Sequence, residues 1–197
     1  MNKNKNMEIL QKWLKSAYGN NPIFTNELNG IENILKGLIQ GLQIELGITI
    51  EGVWNKETLD TFEKMFPEGL NIKTVKNKNI ISIVKGGIYV VRNISIDEIN
   101  GDFSEDLIIA IKIFQKQIGL IENGIITAQL LKAILSLTSY ELDKDGDKEI
   151  REIQQNLNRK YHKYIGLIQT NGIYGTETNR ALRKVIEMEL GAIENNI

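Results

Sequence analysis

The chain has 197 residues, 42% hydrophobic and 25% charged, a composition that folds rather than remaining disordered. Lys and Arg number 24 against 25 Asp and Glu, a formal charge of −1, so no global basic field exists to hold nucleic acid or an anionic membrane. Cysteine is absent and His162 is the single histidine; this excludes disulfides, thiol catalysis, cysteine-ligated metal and multi-histidine centres, and argues against a His-based triad.

In chain order, the start Met1-Asn2-Lys3-Asn4-Lys5-Asn6 is positive, but Glu8, Gln11, Lys12 and Lys15 interrupt the stretch that follows. No secretory signal is expected, and the first six residues read as a frayed tail. Leu10, Trp13, Leu14 and Ala17 form a first helical stripe. After Asn29-Gly30 a longer stripe (Ile34, Leu35, Leu38, Ile39, Leu42, Leu46) predicts a helix closed by Gly47 in the left-handed conformation. Gly52-Val53-Trp54-Asn55-Lys56-Glu57-Thr58 then leads into a third helix carrying Phe62 and Phe66.

Beyond a polar connector from Pro67 to Asn79, Ile83 to Tyr89 reads as a weaker helix, interrupted by Gly86-Gly87 at about 1 kcal/mol per glycine against alanine. Asn100-Gly101-Asp102-Phe103 precedes a stripe of Leu107, Ile108, Ile111, Phe114 and Ile118, with Gly119 as its expected cap. Gly124-Ile125-Ile126-Thr127 opens a further helix through Ile134 and Leu135.

The junction Asp143-Lys144-Asp145-Gly146-Asp147 invites a calcium reading, since its oxygens alternate. However, its glycine is fourth rather than sixth, and Gln154 stands where a closing glutamate belongs; a solvated turn with Asp147 as N-cap is preferred. Ile150, Ile153, Leu157 and Tyr161 form the next stripe, with His162 as a partly exposed loop side chain. After Asn171-Gly172 a last stripe (Ala181, Leu182, Val185, Ile186, Leu190) is expected to close at Gly191. Apolar runs such as Leu107 to Ala110 fall far short of the roughly 20 residues that span a bilayer.

Two sets of markers share nearly one period. Asn-Gly occurs at glycines 30, 101, 124 and 172; the first, second and fourth are separated by 71 residues each time (101 − 30 and 172 − 101), and the helix-end glycines 47, 119 and 191 by 72 (119 − 47 and 191 − 119). The hexads before the latter are also alike: Leu42-Gln43-Ile44-Glu45-Leu46-Gly47, Phe114-Gln115-Lys116-Gln117-Ile118-Gly119 and Ile186-Glu187-Met188-Glu189-Leu190-Gly191. The expectation is an all-α chain of three related units, residues 7–67, 80–138 and 147–197, the third without its last helix. Units this small are marginal alone and should share apolar contacts or be tightly linked.

The ordered set of a Leu-Gln pair, a glycine turn, a helix ending Phe-Gln-x-x-x-Gly-Leu and a second glycine turn opening a third helix resembles bacterial peptidoglycan-binding domains of the three-helix type. The second unit matches best, through Asn100 to Ser104, Phe114 to Leu120 and Asn123 to Thr127; the third contributes Asn171 to Thr178, the first Leu10-Gln11 and Glu51 to Thr58. Ser104, Leu42 and Ile186-Glu187 depart from the pattern. The resemblance implies a non-catalytic module that targets a cell-wall hydrolase, such as a phage endolysin or a clostridial-type wall or spore-cortex hydrolase, to peptidoglycan. Its catalytic domain would follow Ile197, and it would act at the wall after synthesis without a signal peptide, reaching it through lysis or a non-classical route.

A glycan–peptide ligand needs aromatic faces for sugar C–H surfaces and amides for hydroxyls. The turn aromatics Tyr18, Phe24, Trp54, Tyr161, Tyr164 and Tyr174 are the candidates. Trp54 and Tyr174 also read as plugs packed beneath a turn, and the Asn-Gly pairs as tight turns with positive φ. No catalytic residue, metal site or cofactor is assigned; the partner is the glycan or stem peptide, not nucleic acid or membrane. Two other functions stay open. One is a muramidase-like glycoside hydrolase using a carboxylate pair. The other is a helical docking scaffold, a homodimer through the incomplete third unit, with Leu182, Val185 and Ile186 partly uncovered.

Overall fold

The computed structural model describes residues 3–25, 27–71, 75–96 and 98–194, with side chains described from Met7 to Gly191 within those ranges. The described chain is all-α. Its helices are α1 (Lys3–Tyr18), α2 (Gly30–Leu46), α3 (Lys56–Met65), α4 (Lys78–Gly86), α5 (Glu105–Gln117), α6 (Ala128–Ile134), α7 (Lys148–Ile165) and α8 (Thr176–Glu194), with a π-helical segment at Gly87–Val91 after α4. No strand occurs among the described residues; Leu70 and Ile126 form one isolated antiparallel bridge. No described helix is long and apolar enough to cross a membrane.

The chain divides into two compact units, Met1–Lys112 with Asn123–Leu137, and Ile113–Glu122 with Thr138–Ile197. Residues of the second expected repeat are thus divided between the two.

In the first unit, α1 is helical from Lys3, where a frayed tail was expected through residue 6. Its buried face is Leu10, Leu14 and Tyr18, whereas Ala17 is exposed. α2 buries the whole expected stripe, every member at 8% exposure or less. Gly41 lets it approach α1: a Cβ there would lie 2.7 Å from the Tyr18 ring. Gly47 adopts φ 68° and ends α2, its N–H bonding the Ile44 carbonyl at 3.0 Å while Ile48 N–H reaches Gln43 at 3.1 Å.

At Gly86-Gly87 the regular helix α4 ends, as the propensity suggested, but the chain stays helical and continues as the π-helical segment. A Cβ on Gly86 would meet Leu10 at 2.8 Å, and one on Gly87 would meet Ile134 at 2.6 Å. The pair admits neighbouring side chains at the backbone, and burial of Ile80, Ile83, Val84 and Ile88 outweighs the local cost. Gly101 is a second correction. Gly30, Gly124 and Gly172 take positive φ, as tight turns require, but Gly101 does not; a Cβ on it would lie 2.3 Å from the Lys78 Cβ, so close approach is what demands glycine there. Its neighbour Asn100 accepts a 2.7 Å hydrogen bond from the fully buried Lys85.

In the second unit, Phe114 and Ile118 are fully buried and Phe114 meets Tyr140 edge-on at 5.5 Å. The expected N-cap Asp147 is present, accepting from Glu149 N–H at 2.7 Å and Ile150 N–H at 3.0 Å. α7, however, buries Gln154, Leu157 and Asn158 while Ile153 is exposed. Polar atoms win that face because each is matched: Asn158 donates to the Ile118 and Ile168 carbonyls and accepts from Ile168 N–H, all at 2.9 Å. Tyr161 to Tyr164 form the last turn of α7, not a loop, and His162 Nδ1 bonds the Asn158 carbonyl at 2.8 Å.

α8 runs straight through Gly191, which lacks positive φ and so is not the expected cap. Leu157, Ile168, Ala181 and Val185 make a small core, backed by Tyr161, Ile165 and Leu182. The third hexad therefore differs in environment from the other two. Leu42 and Phe114 are 0% exposed but Ile186 is 54% exposed; Leu46 and Ile118 are buried but Leu190 is 57% exposed.

Candidate functional site

Two turns are built by the same device. The Gln43 side chain is fully buried; its Oε1 accepts from Glu51 and Gly52 N–H at 2.9 and 2.8 Å. Its Nε2 donates to the Val53 carbonyl at 3.0 Å and to Thr58 Oγ1 at 3.2 Å. Gln154, equally buried, accepts from Gly172 N–H at 2.9 Å and donates to the Ile173 carbonyl at 3.0 Å and Thr178 Oγ1 at 2.9 Å. Gly52 and Gly172 both sit at positive φ, 72° and 78°. One amide thereby satisfies both the inward N–H and C=O of a turn and the hydroxyl that opens the next helix.

With the inner half of each turn clamped, Val53, Ile173 and Tyr174 face out. Val53 is 56% exposed beside Trp54, and Ile173 is 40% exposed beside Tyr174 at 52%. Trp54 is partly buried and its indole Nε1 has no hydrogen-bond partner among the described residues. Tyr174 accepts a 3.2 Å hydrogen bond from Asn179 Nδ2. Asn179 in turn lines a groove of roughly 320 Å³ along the outer side of α8, with Thr176, Arg180, Arg183, Lys184 and Glu187. The second unit thus joins an exposed ring, an amide and a row of cations in one surface.

The other candidate aromatics divide. Tyr18 and Phe24 are core residues, each 4% exposed, with rings 5.6 Å apart and Trp13 edge-on to Tyr18 at 5.8 Å. They offer no face to a ligand; the close α1–α2 approach at Gly41 is filled by the Tyr18 ring. The Tyr18 hydroxyl donates to Glu45 at 3.0 Å. Burial pushes this phenol far above its ordinary range, with the Glu45 charge and hydrogen bond adding in the same direction. Tyr161 is partly buried against the small core, and its hydrogen bond to Glu189 raises its pKa. Tyr164, at 70%, is fully available at the end of α7.

The glutamine clasps and the α8 groove are absent from the list drawn from sequence. A signal was present for the first: in Gly52/Thr58 and Gly172/Thr178 the threonine follows the glycine by six residues. The clasps also cross the 72-residue register, since Gln43 holds the turn before α3 and Gln154 the turn before α8.

Two proteins of Bacillus subtilis (strain 168) resemble the chain. It is 36% identical over 193 residues to the uncharacterized protein YbfG, covering 93% of this chain and 25% of that one. It is 30% identical over 191 residues to the uncharacterized protein FadG, covering 93% and 32%. The chain therefore spans about a quarter to a third of the length of these relatives. No family model matches, and no solved structure matches.

Proposed function

We propose that this chain is a non-catalytic module that binds bacterial cell-wall peptidoglycan. The observation that carries the reading is the clasped turn of the second unit: buried Gln154 anchors a glycine turn that offers Tyr174 at the surface on a rigid support, and Gln43 anchors a turn of the same build in the first unit. A ring held this way loses little side-chain freedom on stacking against a sugar, which is what a shallow carbohydrate surface requires. The likeness to YbfG and FadG supports a modular role, because nearly all of this chain matches a segment of two longer proteins. Several weak surfaces on one chain would gain from effective concentration along a polymer. The module would serve to hold a wall hydrolase on its substrate.

The test is co-sedimentation with purified sacculi, run alongside a turbidity assay. Binding without loss of turbidity is the expected result. Turbidity loss caused by the chain alone would favour the glycoside-hydrolase reading, and absence from the pellet would end the wall-binding one.

The exposed Ile186 and Leu190 favour a second reading, self-association through α8. Sedimentation velocity checks it: the apparent mass would rise with concentration and return to that of a monomer in Ile186→Glu.

A further inference from the structure

Among the described residues, Arg180, Arg183 and Lys184 have neither an ion pair nor a hydrogen bond, although acids stand at helical spacing from them. Those acids are diverted. Glu177, three residues before Arg180, accepts from Gln169 N–H at 3.2 Å. Glu187 lines the same groove without closing on Arg183 or Lys184. Three cations and one carboxylate thus lie along two turns of α8, about 10 Å from Arg180 to Glu187, with Thr176 and Asn179 as neutral hydrogen-bonding groups at one end.

We infer that this groove binds a short zwitterionic peptide of the kind the wall's peptide stems present. Its carboxylates lie on Arg180, Arg183 and Lys184, and its free side-chain amine lies at Glu187. This rests on the wall-binding reading, and it names the part of the polymer that the second unit recognises. Guanidinium groups one turn apart suit carboxylates separated by a peptide unit. Glu187 disfavours a phosphate polymer, because a carboxylate in the groove repels every added negative charge while attracting an ammonium. Tyr174, joined to the groove through Asn179, places a ring where the adjoining sugar of such a stem would lie.

The probe is the soluble tripeptide L-Ala-γ-D-Glu-L-Lys, titrated into the full chain by NMR, with sacculi co-sedimented before and after enzymatic removal of their stems. Peptide-induced shifts should be confined to residues 174–187. Arg180→Gln/Arg183→Gln should weaken binding at least tenfold with unchanged helicity. Acetylating the lysine amine should weaken binding several-fold in the native chain and leave Glu187→Gln nearly indifferent. Equal affinity of the double variant, or shifts elsewhere, would overturn the inference. If stripped and intact sacculi pellet the chain equally, the groove assignment falls and wall binding stands. If the tripeptide binds at α8 but sacculi do not pellet the chain, the groove assignment stands and the wall-binding reading falls. If removal of teichoic acid alone abolishes pelleting, the ligand is a phosphate polymer and the inference is wrong.

Discussion

Gln154 Nε2 lies 2.9 Å from Thr178 Oγ1, both residues fully buried, and this contact fastens the turn that presents Tyr174 to the helix that carries the groove. Removing the amide strands Gly172 N–H and the Ile173 carbonyl as well as the hydroxyl. Gln154→Ala should therefore cost about 3 kcal/mol in the unfolding of the second unit. Thr178→Val, which removes one partner, should cost about 1 kcal/mol. Urea unfolding distinguishes them, with the exposed Glu152→Ala as a control expected within about 0.5 kcal/mol of the native chain.

Aromatic substitutions should separate support from recognition. Tyr174→Ser, at a half-exposed position, should leave stability within about 0.5 kcal/mol and reduce sacculus binding several-fold. Phe24→Ala should cost about 3 kcal/mol, through the cavity left beside Tyr18. Thermal melts paired with co-sedimentation give both quantities. A Tyr174→Ser chain that pellets as well as the native one would remove that ring from the binding surface.

Tyr18 makes stability pH-dependent on the alkaline side. In the unfolded chain its phenol ionises near pH 10; in the folded chain burial and Glu45 keep it protonated well above that. The folded state then holds a proton that the unfolded state has lost. The contribution is complete below pH 10 and disappears as pH rises beyond it, at up to about 1.4 kcal/mol per pH unit. Melts between pH 8 and pH 11.5 should show this decline in the first unit, and Tyr18→Phe should flatten it. At neutral pH the same substitution should cost about 1 kcal/mol, since Glu45 keeps the Asn77 and Asn79 amides at 2.7 Å each.

Gly119 combines two demands on one position. Its φ is 82°, and a Cβ would lie 2.4 Å from the Gln155 carbonyl oxygen. Gly119→Ala should cost about 3 kcal/mol, more than either strain or crowding alone. Gly175→Ala meets nothing within 4 Å and needs no positive φ, so it should change stability by less than about 0.5 kcal/mol. Circular dichroism melts of the two variants test the contrast.

Helix type and approximate extent were legible because a 3.6-residue apolar period is a local property: the stripe from Ile34 to Leu46 is buried as read. Capping was legible where one side chain suffices, as with Asp147, and where positive φ alone selects glycine, as at Gly47. Gly101 and Gly191 escaped the same reasoning. The first answers to Lys78, which meets it from elsewhere in the chain, and the second lies in continuous helix. The aromatic candidates were separable only in three dimensions, because turn position does not say which of Tyr18 and Tyr174 a neighbouring helix will cover.

By itself the amino-acid sequence determined that this protein is built of helices, where most of them start and stop, and that related hexads recur along it. The tertiary structure decided what those hexads do. Leu46 and Ile118 are enclosed while Leu190 faces solvent, although all three occupy one position of the repeat. It also decided that Gln43 and Gln154 are turn anchors and that the cations of α8 stand unpaired among the described residues. The reason is physical: propensity and periodicity act between residues a few positions apart, whereas burial and hydrogen-bond partnership depend on which distant segment arrives at the same place.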